Sequence, residues 1–340
     1  TVTLNGAESC KSLAVNTGGI YDGDGDILTV TGESSAGWAI RFNNGQISGT
    51  DSDFTITTAA ATSIDLNCAS GNARHLVIND ASAAVTMETG AITLLGNLTI
   101  TAGSLSTGSD LGLTVTNYTL VQGTLNLNDS TVSLGAAYTG DYGLETSGGA
   151  GTVNMGGATV TTGACNIPNG NFTMTSDVWT IAATKASSSQ ALNLYTSDTF
   201  SNGSGTLKFT SPNGGTIRSS QNLNNLEFDA ASGTPTWTIA TQGLSCAGNL
   251  TLTCNNSTVI VGSGLTNTLG MRVQSGGTLT GGTGPHTYGT FNADASGTIN
   301  VTLTANTTTI NGSYSDGIAW GMRSGPTFSN GGGDIHFTGS

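Results

Sequence analysis

The chain is short of charge. Only 9% of its 340 residues are Asp, Glu, Lys or Arg, against about 25% in an average globular domain. Eight bases stand against 21 acids, a net charge of -13, so no basic stripe exists to neutralise phosphates and nucleic acid is not an expected partner. Nor does any run approach the roughly 20 apolar residues of a spanning helix, and no membrane span is expected. Helical periodicity is equally scarce. No long stretch keeps apolar residues at i, i+3, i+4 and i+7 without a Gly or a β-branched run breaking it. With 36% hydrophobic residues, any core must be narrow. The five cysteines, Cys10, Cys68, Cys165, Cys246 and Cys254, lack C-x-x-C spacing, which argues against a zinc site.

What the chain has instead is Gly, 51 of them, with Thr, Ser and Asn alternating against Val, Ile and Leu. Thr is polar yet β-branched, so a Thr-rich chain is solvated and strand-forming at once. One phrase keeps returning: Gly, then Thr or Asn, then alternating apolar and small polar residues. It occurs as Gly96-Asn97-Leu98-Thr99-Ile100, Gly123-Thr124-Leu125-Asn126-Leu127, Gly151-Thr152-Val153-Asn154-Met155, Gly170-Asn171-Phe172-Thr173-Met174, Gly205-Thr206-Leu207-Lys208-Phe209, Gly248-Asn249-Leu250-Thr251-Leu252 and Gly297-Thr298-Ile299-Asn300-Val301. A turn followed by a half-buried strand, repeated, reads as a stacked architecture.

The repetition reaches beyond single strands. Residues 123–135 and 151–163 align without gaps. Leu76-Val77-Ile78 and Gly96-Asn97-Leu98-Thr99 correspond likewise to Leu226-Glu227-Phe228 and Gly248-Asn249-Leu250-Thr251. The expected fold is all-β, a single-chain parallel β-helix, with tandem β-sandwiches as the alternative. Turns of about 20 to 28 residues give about 12 to 17 coils and a rod of roughly 60 to 80 Å. The solenoid is expected over residues 1–312, less regular over 1–95, with 313–340 an irregular segment ending in a strand.

A parallel coil leaves an open backbone edge at each end unless something caps it. Thr1-Val2-Thr3-Leu4 and Asp334-Ile335-His336-Phe337-Thr338 both read as strands, and neither stretch reads as an amphipathic cap. Thr1, Val2, Thr3, Leu4, Ile335 and Phe337 are therefore candidate subunit contacts, through end-to-end association or strand addition. Trp320 joins them as an aromatic in a less regular segment, Asp316 to Pro326, where a terminal packing plug is the alternative. Trp38, Trp179 and Trp237 sit in apolar alternation and are expected in the core or packed between turns. The chain starts at Thr1, as a mature secreted protein does after signal-peptide removal, and trimming on expression produces the same start. In a secreted chain the cysteines would form up to two disulfides, Cys246 and Cys254 being the nearest pair, or they are small buried residues in the coil.

The phrase G-N-L-T-[IL], the variant Cys10-Lys11-Ser12-Leu13-Ala14-Val15, and Asn222-Leu223-Asn224-Asn225-Leu226-Glu227-Phe228 resemble repeats of secreted right-handed β-helix proteins. That group includes filamentous-haemagglutinin-like and autotransporter adhesins and β-helical phage fibres. The resemblance implies a right-handed coil, an extracellular or cell- or virion-surface location, and an adhesive or structural role. It brings no catalytic motif.

Few constellations carry chemistry. Asp22-Gly23-Asp24-Gly25-Asp26 resembles the first half of a calcium loop, with Asp22, Asp24 and Asp26 as candidate ligands. Ile27 stands where such a loop has Gly, and a solvated acidic turn is the competing reading. Polysaccharide-cleaving chemistry would need paired carboxylates or a supported base. Asp51 with Asp53, Arg74-His75 and Arg218 are the candidates, against isolated acids that simply terminate strands. His75, His286 and His336 are far apart and have no Ser or Cys elbow beside them. Asn-x-Ser/Thr sites such as Asn97, Asn171 and Asn300 permit glycosylation without indicating it.

The expectation is a non-enzymatic, self-assembling structural protein without cofactor, calcium at the acidic turn excepted. Its expected partner is itself. A glycan-binding adhesin or fibre is the second reading, and a polysaccharide-acting enzyme the third.

Overall fold

Parallel strands stack as a β-solenoid of about 12 turns in the computed structural model of the chain. The structure describes residues 1–340 except 148–150, 196–198, 231, 241–243, 247, 253–257, 262–264, 274–276, 294–298, 313–318, 323–325 and 339–340, with only backbone at 244–245, 249–252 and 265–269. Among the described residues there is no helix, and the paired strands run parallel. Tandem sandwiches, which are built from antiparallel sheets, are thereby excluded. The chain divides into two compact units, Thr1–Gly163 with Ile167–Ser176 and Thr196–Ser201, and Ala164–Asn166 with Asp177–Tyr195 and Asn202–Ser340.

In the first unit each turn contributes up to three short strands, and like stacks on like. Val30, Ile56, Ile78, Ile100 and Val121 are successive register partners, all essentially without exposure. Fully burying such an aliphatic side chain contributes roughly 1.5–3 kcal/mol, so this column alone is a spine for five turns. Alternation directs the neighbouring Thr residues outward, which is why a chain with so little apolar content still closes a core. The two gap-free copies lie directly on each other: Thr124 pairs with Thr152 and Val132 with Val160, each 28 residues on. Steps elsewhere vary, from Val2 to Tyr21 at 19 residues to Tyr21 to Ile47 at 26. Turn length differs while register survives.

The glycine that opens the repeated phrase has a specific task. A Cβ on Gly123 would come within 2.3 Å of the Gly103 carbonyl oxygen, and one on Gly170, at φ +97°, within 2.1 Å of that of Gly151. Backbones of successive turns touch there, and only glycine leaves the room.

The second unit stacks in the same way with larger side chains. Trp179, Leu207 and Leu226 are register partners, as are Ile181, Phe209 and Phe228. Phe209 and Phe228 stack at 5.2 Å and 14°, and Trp237 leans on both at 5.2 and 5.7 Å. Leu76 with Leu98 in the first unit and Leu226 with Leu250 in the second are one-turn partners, which explains the long-range correspondence between those segments.

Trp38 departs from expectation. Trp179 and Trp237 are fully buried, but Trp38 is half-buried with the Arg41 guanidinium 5.0 Å from its ring centroid. A bulge between Trp38 and Ile40 breaks the alternation. Ala39 and Ile40 both turn inward as a result, and the indole is left outside them.

Candidate functional site

The first turn is built from Val2–Thr3, Glu8–Cys10 and Leu13–Asn16. Each pairs with one strand of the next turn, on Ile20–Asp22, Ile27–Val30 and Trp38–Asn43, and with no other among the described residues. No strand among the described residues pairs with its opposite edge. Thr1, Val2 and Thr3 are exposed, Val2 by 62%, while Leu4 is buried and donates its N–H to the Asp22 carbonyl.

In the second unit Trp320 lies flat on Phe291 at 4.6 Å and meets Phe328 and Phe337 edge-on at 5.4 and 6.2 Å. Trp320 is half-buried within this cluster of four rings. Its two edge partners are the exposed ones, Phe328 by 37% and Phe337 by 59%. Thr327–Ser329 and Ile335–Phe337 pair parallel with Asn300–Thr302 and Thr308–Ile310, so the stack continues into the segment expected to be irregular. Ile335 is half-buried against Thr308.

The acidic turn is held by its own carboxylates. Asp26 accepts the Gly6 N–H at 2.7 Å, Asp22 accepts the Asp24 N–H at 3.2 Å, and Asp24 and Gly25 take positive φ. Among the described residues no three His, Cys, Asp or Glu side chains converge as a metal site.

A tighter polar group forms on the lateral face of the first unit. Asp53, His75 and Asn97 stand one above another on three successive turns. Arg74 grips the Asp53 carboxylate with Nε at 2.9 Å and Nη2 at 2.6 Å, a bidentate pair in which Asp53 is nearly buried. That carboxylate holds the guanidinium above its ordinary range, and Asp51 adds a weaker pull. The His75 Nδ1 accepts the Asn97 N–H at 2.8 Å, which puts the proton of the neutral ring on Nε2. Partial burial pushes the imidazole below its usual range, against the pull of Asp53. The ring lies over Gly96, where a Cβ would come within 2.4 Å of Cε1.

The sequence offered Asp53 beside Asp51, and Arg74-His75 separately; stacking joins them. The 22-residue interval from Asp53 to His75 falls within the turn length read from the repeats, which is the signal that could have paired them.

A second lateral feature is an uncharged double file. Ser104 and Ser106, Thr124 and Asn126, Thr152 and Asn154, then Asn171 and Thr173 follow each other in register. Asn154 donates its side-chain amide to the Asn126 side-chain oxygen at 2.8 Å.

The remaining candidates scatter. Arg218 is exposed in register with Asn193. Cys10 and Cys68 carry free thiols. Burial pushes both up, Cys68 to about 12 with Asp65 adding to it. Cys165 and Cys246 are buried in the coil, and Cys254 lies outside the described residues. His286 is buried, with Nδ1 at 2.9 Å from the Tyr288 hydroxyl. No protein family, curated protein or solved structure matches the chain.

Proposed function

We propose that the protein is a non-enzymatic extracellular structural subunit that assembles with copies of itself into a filament or surface layer through open β-edges. The observation that carries this reading is the turn Val2–Asn16, whose three strands pair on one side only among the described residues. Unpaired strand edges recruit further strands unless charge or a covering element blocks them. Here the edge carries an exposed Val2, and the turn that ends in Ile335–Phe337 carries exposed Phe328 and Phe337. Parallel addition would continue a ladder that each unit already uses.

Electron microscopy of the purified 340-residue chain tests it. Long regular polymers are expected, and Val2→Lys or Phe337→Lys should shorten or abolish them by placing a charge on the edge. Discrete monomers or trimers of the unaltered chain at high concentration would overturn the reading.

A second reading, adhesion to glycans along a lateral face, is favoured by the uncharged double file. It offers hydroxyl and amide groups at a regular spacing with no charge to select a charged partner. Such a face suits an uncharged, hydroxyl-rich polymer.

A further inference from the structure

Ile27, Asp53, His75 and Asn97 form one side of a lateral groove of about 230 Å3 in the first unit, and Thr55, Val77 and Thr99 form the other. The groove runs across four turns, because Ile27 pairs with Asp53, Asp53 with His75, and Thr55 with Val77. The second reading above concerns a face; this groove is a defined site on it.

Its chemistry narrows the ligand. The charges nearest the groove, Asp53 and Arg74, neutralise each other in a bidentate pair, so neither a free anion nor a free cation finds an unengaged counter-charge there. No metal-binding cluster exists among the described residues. Main-chain groups under the groove are spent in the parallel ladders, so a peptide strand could not be recognised through its backbone. What remains on offer is side-chain hydrogen bonding beside apolar surface. The His75 Nε2–H has no protein partner among the described residues and serves as donor, since Nδ1 is taken by the Asn97 N–H. The Asp53 carboxylate keeps lone pairs beyond those that Arg74 uses. Thr55 and Thr99 hydroxyls both donate and accept, while Val77 and Ile27, the latter 45% exposed, supply an apolar wall.

Alternating donors and acceptors against a C–H-compatible wall match a polyol ring. The volume is below the roughly 300–1,000 Å3 of sites that enclose a drug-sized ligand, so the groove holds one ring-sized unit. We propose that this groove is a binding subsite for one neutral sugar residue of a glycan. The proposal rests on the glycan-binding reading and not on assembly. Donor and acceptor are preorganised: Asn97 and the close approach of Gly96 hold the imidazole, and Arg74 holds the carboxylate.

The test is a titration of the 340-residue chain with a panel of neutral hexoses, N-acetylhexosamines, uronic acids and their oligomers, followed by saturation-transfer NMR and calorimetry. A neutral sugar is expected to bind, and Thr99→Trp, which fills the groove from an outward position, should weaken it at least tenfold, as should His75→Ala. Circular dichroism of both variants checks the fold. If a neutral sugar binds and Thr99→Trp leaves its affinity unchanged, the subsite is overturned while the glycan-binding reading stands. Binding by uronic acids alone overturns the neutral assignment. If no sugar binds, the subsite and the reading beneath it both fall.

Discussion

Asn126 and Asn154, partners on adjacent turns, join their side-chain amides at 2.8 Å. Both are half-buried, so water can replace either partner when it is removed. Asn154→Ala should therefore cost about 0.5–1 kcal/mol, and Asn126→Ala a similar amount. A double-mutant cycle read by urea unfolding should show the two losses to be coupled by about 0.5–1 kcal/mol. Strict additivity would mean that the amide contact contributes nothing.

Arg74 is the only basic partner that the Asp53 carboxylate has among the described residues. Arg74→Leu would leave that carboxylate nearly buried and unpaired. Breaking a fully buried pair costs about 3–5 kcal/mol, and the one-third exposure of the Arg74 side chain reduces this to about 2. Arg74→Lys cannot form two parallel bonds and should lose an intermediate amount. Chemical denaturation of both variants checks the order, which a purely surface pair would not produce.

The legible part of this fold was its period. Strand phrases at Asp53–Ile56 and Thr124–Asn126 were readable because alternation is local, and the stacking of residues 123–135 on 151–163 because the copies align without gaps and share their Gly, Thr, Asn and Val positions. The site beside Asp53 was not readable in one piece. Which residue stacks on Asp53 depends on summing every loop in a turn, and loop length varies from turn to turn. Trp38 was misread for a different reason: a single-residue bulge inverts the inside and outside of a strand without any compositional mark.

Trp237 is fully buried against the stacked pair Phe209 and Phe228, yet its indole N–H has no acceptor among the described residues. Trp237→Ala should cost about 3–5 kcal/mol through the cavity it leaves. Trp237→Phe keeps much of the packing and removes the unsatisfied donor, so its cost should stay below about 1.5 kcal/mol. Thermal unfolding of the pair measures the difference. Equal losses would show that a Phe ring does not refill the space that the indole leaves.

His286 is buried, and desolvation pushes its imidazole down to about 4. Its Nε2 and the hydroxyl of its register partner Thr308 are both buried without a hydrogen bond among the described residues. In the unfolded chain the same ring titrates near 6.5, so the unfolded state binds the proton first as pH falls. Stability should decline between about pH 6.5 and pH 4, with a limiting slope of about 1.4 kcal/mol per pH unit, and this contribution should then level off. His286→Leu should flatten that part of the pH–stability curve, measured by denaturant midpoints at fixed pH. An unchanged slope would assign the acid sensitivity to other groups.

The 28-residue step that places Val160 on Val132 has a genetic reading. Excising residues 132–159 would join Thr131 to Val160-Thr161-Thr162, and the new strand would present to Leu113–Val115 nearly the same face as the old one. One in-frame event can thus remove a whole storey, and its reverse can add one, with Thr162 taking the place of Leu134 beside Val115. In such a molecule length is a heritable variable that selection can adjust a turn at a time, independently of whatever the side walls have come to recognise.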